Sequence, residues 1–139
     1  MFSLDPQLAK DTVLLGRLRL CQLLLMNDSN YPWFILVPER ENLRELHELS
    51  DTDSLQFLEE STLLARALNK GLQPYKLNIA VLGNVVPQLH VHHIVRYQYD
   101  PAWPAPVWGK LPAKPYYSAE ISKLKDLLTK LLGRSFTPA

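Results

Sequence analysis

Apolar positions along this chain form short runs, then a helical stripe, then short runs again. Thr12-Val-Leu-Leu15 predicts a strand closed by a turn at Gly16, and Leu18 to Met26 a second strand, broken only by Arg19, Cys21 and Gln22. Asn27-Asp-Ser-Asn30 is a cluster of turn formers, and Phe34-Ile-Leu-Val37 follows between Pro32 and Pro38, so the runs flanking the cluster are expected to be antiparallel neighbours. The first forty residues thus read as strand material. After a short turn near Glu41 to His47, Ser50-Asp-Thr-Asp53 has the side chains of a helix N-terminus, where short oxygen acceptors and acids favour the unpaired amides. Phe57, Leu58, Ser61, Leu64, Ala65, Leu68 and Leu72 then recur at three and four, one face of a long helix, with Glu59, Glu60, Arg66 and Lys70 off the stripe. Gly71 is a stop signal, and Pro74 forbids continuation. Leu77 to Leu82 and Leu89 to Val95 predict two more strands around Gly83-Asn84. Five of the eleven prolines crowd into Pro101 to Pro115 with Trp103, Val107 and Trp108, a composition unfit for helix interior or central strand. Residues 97–117 are therefore expected to form an extended arm, and Ser118 to Leu132, capped by Ser118, a second amphipathic helix ending near residue 133. The order predicts an α+β fold: one domain over 1–139, with a core at about 12–96 built from an antiparallel sheet of about five strands and one long helix.

Composition narrows the function more by exclusion. A chain of 139 residues that is 47% apolar and 21% charged suits one folded domain. Fifteen basic against fourteen acidic residues, a net charge of +1, give no surplus for a long nucleic acid. The single cysteine, Cys21, offers neither a disulfide nor a thiolate cluster for zinc, as befits a reducing compartment. The opening MFSLDPQLAKD carries charges where an export signal needs an apolar stretch. The apolar run Leu23 to Met26 is far below the roughly 20 residues of a membrane span. These features predict a soluble, cytoplasmic protein without a membrane partner.

Three of the four histidines fall between residues 90 and 93, in Pro87-Gln-Leu-His-Val-His-His-Ile-Val-Arg96. On a strand, side chains alternate between faces. Gln88, His90, His92 and Ile94 then share one face, while Leu89, Val91, His93 and Val95 share an apolar one that looks into the core. His93 is accordingly read as a core residue, and His47 as part of neither. The polar row, spaced by roughly 6.5–7 Å, has three readings. His90 and His92 could bind a metal, although a catalytic site normally needs a third protein ligand and no acid lies close in sequence. They could be structural, at a cost on the order of 1–3 kcal/mol for each unpaired buried group. Or one neutral imidazole, its second nitrogen fixed by a carbonyl, could attack phosphorus with no metal required, its neighbours holding phosphate oxygens.

The segment from Pro87 to Arg96 resembles the signature of the histidine triad (HIT) superfamily, in which three histidines alternate with apolar residues along one strand. Leu24-Leu-Leu-Met-Asn27, the turn and Phe34-Ile-Leu-Val-Pro38 are similar to the family's paired strands, and the likeness covers roughly residues 12 to 96. It implies a nucleotide hydrolase or nucleotidyl transferase that acts on the α-phosphate of a nucleoside phosphoanhydride or phosphoramidate through a nucleotidyl-histidine. Gln88, His90 and His92 take the three triad positions, so glutamine replaces the first histidine and His90 is the nucleophile. Gln88 and His92 would hold phosphate oxygens and assist the leaving group. The other register starts at His90, makes His92 central and puts apolar Ile94 third. Asn27 matches a ribose-binding position and Asn84 a phosphate-contacting one, with Asn78 a further candidate. Trp33 stands where some members have histidine, and Arg96 is expected to be an exposed arginine at the strand end. No metal and no cofactor are implied; the partners are a small nucleotide and, as a two-fold homodimer, a second copy. Two alternatives stay open: a nucleotide-binding module without catalysis, and a metal-dependent enzyme using His90 and His92.

Overall fold

The computed structural model describes the whole chain, Met1–Ala139. Its elements in order are helix α1 (Pro6–Asp11), strands β1 (Thr12–Arg17), β2 (Cys21–Met26) and β3 (Trp33–Pro38), a 3-10 turn (Leu46–Glu48), helix α2 (Asp51–Leu72), strands β4 (Lys76–Ala80) and β5 (Val91–Arg96), helix α3 (Ser118–Leu132), and β6 (Thr137–Pro138). The strands form one six-stranded antiparallel sheet in the order β4-β5-β3-β2-β1-β6. The α+β architecture therefore holds, with one strand more than the pattern predicts. No helix is long and apolar enough to cross a membrane.

Strand alternation sorts the side chains into two layers. Cys21, Leu23, Leu25, Phe34, Leu36, Val91 and Val95 pack on one face beneath α2 and α3, in a core that includes Leu64, Leu68 and Leu128. Leu24, Trp33, Ile35, Val37 and Ile94 face the other way and are covered by Leu8 of α1 and by Ala102 and Val107 of the proline-rich segment. The histidine strand thus shows its apolar side to the helices and its polar side to this second layer. His93 lies in the first layer, fully buried, between the Ser61 hydroxyl (2.8 Å) and the Val91 carbonyl (3.1 Å).

Several local expectations are corrected. Residues Pro6–Asp11 form a helix rather than strand: the Asp5 carboxylate accepts the Gln7 N–H (2.8 Å) and Pro6 supplies a pre-set first position. Gly16 is no turn but lies within β1, beside a bulge between Leu14 and Gly16. A β-carbon there would stand 2.4 Å from both the Phe136 ring and the Thr137 carbonyl, so its absence lets β6 dock. Ser50 caps α2 through the Asp53 N–H as expected (3.1 Å), but the helix ends at Gln73 in the left-handed conformation (φ 48°). Gly71 instead admits α3, since a β-carbon would meet Leu131 at 2.7 Å. The buried face of α2 is rotated from the expected stripe: Leu58 is exposed, whereas Glu60 is buried. The Glu60 carboxylate accepts the Leu20 and Cys21 N–H groups (2.9 and 3.0 Å), an acid doing the capping work of a turn. That carboxylate and burial push the Cys21 thiol far up, burial most, leaving an inert thiol. Ser118 is the first residue of α3 rather than its cap, which is Tyr117 with Glu120 reaching back to its N–H (2.9 Å). Residues 98–111 are not extended but fold as successive turns against the sheet; only 112–117 run extended.

Candidate active site

His92 sits mid-sheet, paired with Ile35 of β3 on one side and Ala80 of β4 on the other. Trp33, two residues from Ile35 and so on the same face, reaches diagonally to it. The Trp33 indole N–H donates to His92 Nδ1 (3.0 Å). An indole only donates, so Nδ1 is the acceptor and the ring proton lies on Nε2, which donates to the Leu82 carbonyl (2.8 Å). Both nitrogens are taken. His90, just before β5, is arranged differently. Its Nδ1 donates to the Gln88 carbonyl (2.7 Å), a contact that fixes the proton there and leaves the Nε2 lone pair without a partner. The two rings meet edge to face with centroids 4.9 Å apart.

Gln88 does not present a free amide. Its Nε2 donates to the Ser3 carbonyl and its Oε1 accepts the Asp5 N–H, each at 2.9 Å. The side chain expected to meet phosphate thus holds the N-terminal segment over the sheet. The phosphate-contacting roles expected of Gln88 and His92 fall on groups that are already engaged.

Two cavities meet at His90. One, of about 430 Å³, has walls from Trp33, Trp108, Met26, Leu8 and His92; Trp33 and Trp108 stand edge to face at 5.6 Å, and Trp108 also meets the His92 ring at 5.0 Å. The other, of about 210 Å³, is polar and includes Arg44, Glu45, Asn84 and Gln88. Gly83 and Asn84 line both. Gly83 is sterically bound to the site: a β-carbon there would lie 2.8 Å from His90 Cε1 and 2.7 Å from the Val86 carbonyl. The N–H groups of Gly83, Asn84, Val85 and Val86 donate to no other group of the protein, which leaves a run of loop amides for an anion beside His90.

The remaining candidates are scattered. Asn27 lines an adjoining cavity with Trp33 and Trp108, and its Oδ1 accepts the Tyr116 N–H (2.9 Å), tying down the C-terminal arm. Asn78 lies apart from His90, its Oδ1 accepting from Arg96 (2.8 Å). Arg96 is not the exposed arginine expected: it is 1% exposed. The reason is four hydrogen bonds from its guanidinium, to both oxygens of Asp100 (2.8 and 3.1 Å), to Asn78 and to the Ala105 carbonyl (2.8 Å). Sequence reasoning missed Arg44, Trp108 and the α1 residues Gln7, Leu8 and Asp11 as site walls; Trp108 carried a signal in the Pro/Trp composition, whereas Arg44 carried none. The structure gathers no group of three or more His, Cys, Asp or Glu side chains that could hold a metal ion.

Burial pushes the His92 ring down to about 4, against a smaller upward pull from the Leu82 carbonyl, and does the same for His93, where the Val91 carbonyl pulls up. Both are therefore neutral throughout the physiological range. The unfolded chain takes up these protons near pH ~6.5 and the folded protein only near 4, so stability is full above 6.5 and falls as pH drops toward 4. Each ring should cost about 2 kcal/mol between pH 7 and pH 5. Urea denaturation at the two pH values checks this; equal midpoints would contradict it.

Comparisons with known proteins bear on the family and the fold. The HIT domain family model matches residues 7–99. A histidine triad protein from Marinobacter aquaeolei VT8 is 49% identical, with a TM-score of 0.93 over 97% of this chain and 98% of its own. Histidine triad proteins from Sinorhizobium meliloti 1021 and Bradyrhizobium japonicum are 42% and 39% identical, with TM-scores of 0.91 and 0.93, over 94% and 95% of this chain and 96% and 98% of theirs. No functionally curated protein matches the chain. The family match over residues 7–99 and a likeness that spans nearly the whole of both chains leave one conclusion: the chain belongs to the HIT family.

Proposed function

We propose that the protein is a nucleotide hydrolase or nucleotidyl transferase in which His90 Nε2 attacks the α-phosphorus of a nucleoside phosphoanhydride or phosphoramidate. The observation that carries this reading is the contrast between the two imidazoles. His90 has its proton parked on a backbone carbonyl and a free Nε2, whereas His92 has both nitrogens engaged. That supports the register with His90 central. The aromatic cavity suits a nucleoside base, and the unpaired loop amides suit the charge that grows on the phosphoryl oxygens during transfer. In this assignment His92 positions His90 by edge-to-face contact rather than by binding phosphate, and Gln88 contributes its carbonyl rather than its amide.

The chemistry needs two steps. Attack expels the leaving group and forms a nucleotidyl-histidine; water then releases the nucleoside monophosphate. The test is to mix the protein with diadenosine tetraphosphate or adenosine phosphoramidate labelled in the α-phosphate and to trap label on protein by denaturing quench. Acid-labile, base-stable label together with turnover supports the proposal. A folded protein that neither labels nor turns over either substrate overturns it. One observation favours a second reading, a binding module without catalysis: both ends of the Gln88 amide are occupied. Stabilisation by AMP in a thermal shift, without turnover, would favour that module. The proposal includes a two-fold homodimer, which light scattering checks.

A further inference from the structure

We infer that the polar cavity beside His90 is a leaving-group subsite, with Arg44 as its anion-binding residue, and that it selects substrates whose leaving group is itself a phosphate. The inference rests on the reading of His90 as nucleophile. The cavity has about half the volume of the aromatic one, 210 against 430 Å³; it shares Gly83, Asn84, Val86 and His90 with it but is completed by Gln88, Arg44 and Glu45 instead of the tryptophans. A nucleoside seated against Trp33 and Trp108 therefore leaves this second space for what departs. Arg44 is the only cationic side chain lining either cavity. Its guanidinium has no ion pair and no hydrogen bond within the protein, unlike Arg17, Arg40 and Arg96, which are paired with carboxylates, and it is the one unpaired arginine that lines a cavity at His90, since Arg19, Arg66 and Arg134 line neither.

Its backbone is nevertheless fixed with respect to the nucleophile. The Leu43 carbonyl accepts the N–H of Leu89, the residue between Gln88 and His90 (2.8 Å). On the other side, the Glu48 carboxylate accepts the N–H groups of Arg44 and Glu45 (2.9 and 2.8 Å). The arginine thus stands on a segment stitched to the histidine strand. Glu45 also lines the cavity and forms a reciprocal capping box with Glu48. The free five-donor fork of Arg44 is the group matched to phosphate oxygens.

His90 Nε2 gives its lone pair to the α-phosphorus, and the bond from that phosphorus to the bridging oxygen breaks. The bridging oxygen keeps the electron pair and departs as a terminal oxygen of the leaving phosphate, its new charge beside Arg44. Water then adds to phosphorus, the P–N bond returns its pair to Nε2, and the proton surplus goes to solvent. One water is consumed per anhydride cleaved. A phosphoramidate instead expels an amine, which gains nothing from a guanidinium.

The experiment compares kcat/KM on diadenosine tetraphosphate and on adenosine phosphoramidate for the wild type, Arg44→Gln, Arg44→Lys and Glu45→Gln. Arg44→Gln is expected to lower the tetraphosphate-to-phosphoramidate ratio by about ten-fold or more, the loss of a charged hydrogen bond. Arg44→Lys should recover part of it. An unchanged ratio in Arg44→Gln overturns the subsite, as does a selective loss on the phosphoramidate in Glu45→Gln. Calorimetric binding of inorganic triphosphate, expected for the wild type and lost in Arg44→Gln, needs no turnover. If the wild type turns over neither substrate, the catalytic reading fails while this titration still decides the subsite: equal binding by both proteins overturns it.

Discussion

His90→Ala is expected to abolish nucleotidyl transfer, by a factor on the order of 10³ or more, while leaving the protein folded. The ring is held by one hydrogen bond, from Nδ1 to the Gln88 carbonyl. Its loss frees an acceptor at the edge of two cavities, where water can replace the partner, so the stability cost stays near the ~1 kcal/mol of a single hydrogen bond. The comparison that gives the result its meaning is His92. There, truncation strands the buried Trp33 N–H, at roughly 1–3 kcal/mol, and removes the donor to the Leu82 carbonyl, whose residue is exposed and can turn to water. His92→Ala should therefore lose stability measurably yet still form the labelled nucleotidyl-protein, more slowly because His90 has lost the ring against which it rests. His90→Ala should form none. The quench-trapping assay with α-labelled substrate, run beside urea denaturation of each variant, reads both. Full turnover in His90→Ala with no label in His92→Ala would move the nucleophile to His92.

That contrast was only partly legible in the sequence. Alternation along Gln88 to Ile94 put His90 and His92 on one face and His93 on the other, because strand geometry has a period of two and the neighbours of His93 are apolar. Hydrophobic pattern also located α2, α3 and the paired strands. What the pattern could not carry was the partner of each imidazole. His92 is disarmed by an indole from β3 and a carbonyl from the loop after β4, and Gln88 by the backbone of residues 3 and 5; all but the loop carbonyl are contacts across long stretches of chain. The same limit hid Glu60, whose two backbone partners lie some forty residues earlier, so that a charge counted as solvated turned out to be buried. Gly71 and Gly16 read as turn signals because composition does not distinguish a glycine that bends the chain from one that makes room for a neighbour.

Arg96 is misplaced by the pattern even though its ion-pair partner is only four residues away, and Asp100→Ala is expected to cost about 3–5 kcal/mol. The pair is bidentate and buried, with side chains 1% and 5% exposed. Around it, Arg96 lies over the rings of Tyr31 and Trp103 (5.8 and 5.4 Å) and reaches the Ala105 carbonyl, while the Asp100 carboxylate accepts the N–H groups of Tyr97, Ala102 and Trp103. One ion pair therefore folds the turns from 97 to 105 onto the sheet. Burial alone would raise the Asp100 carboxyl, but the hydrogen bonds from Arg96, Ala102 and Tyr97 outweigh it and hold the group below the ordinary carboxylate range. Its contribution is thus complete above the unfolded carboxylate pKa, near ~3.9, and is lost as pH falls through the lower folded value. Removing the carboxylate leaves a buried guanidinium uncompensated, so Asp100→Ala should be worse than the double variant Arg96→Met with Asp100→Ala, which removes the charge as well. Asp100→Asn, milder in shape, keeps the test open if the alanine variant does not fold. Because the same segment carries Val107 into the second layer and Trp108 into the wall of the aromatic cavity, loosening it should also weaken nucleotide binding without touching His90. Chemical denaturation gives the stability order and AMP titration the coupling; a double variant less stable than Asp100→Ala, or unchanged AMP affinity in Asp100→Asn despite lost stability, would separate the ion pair from the site.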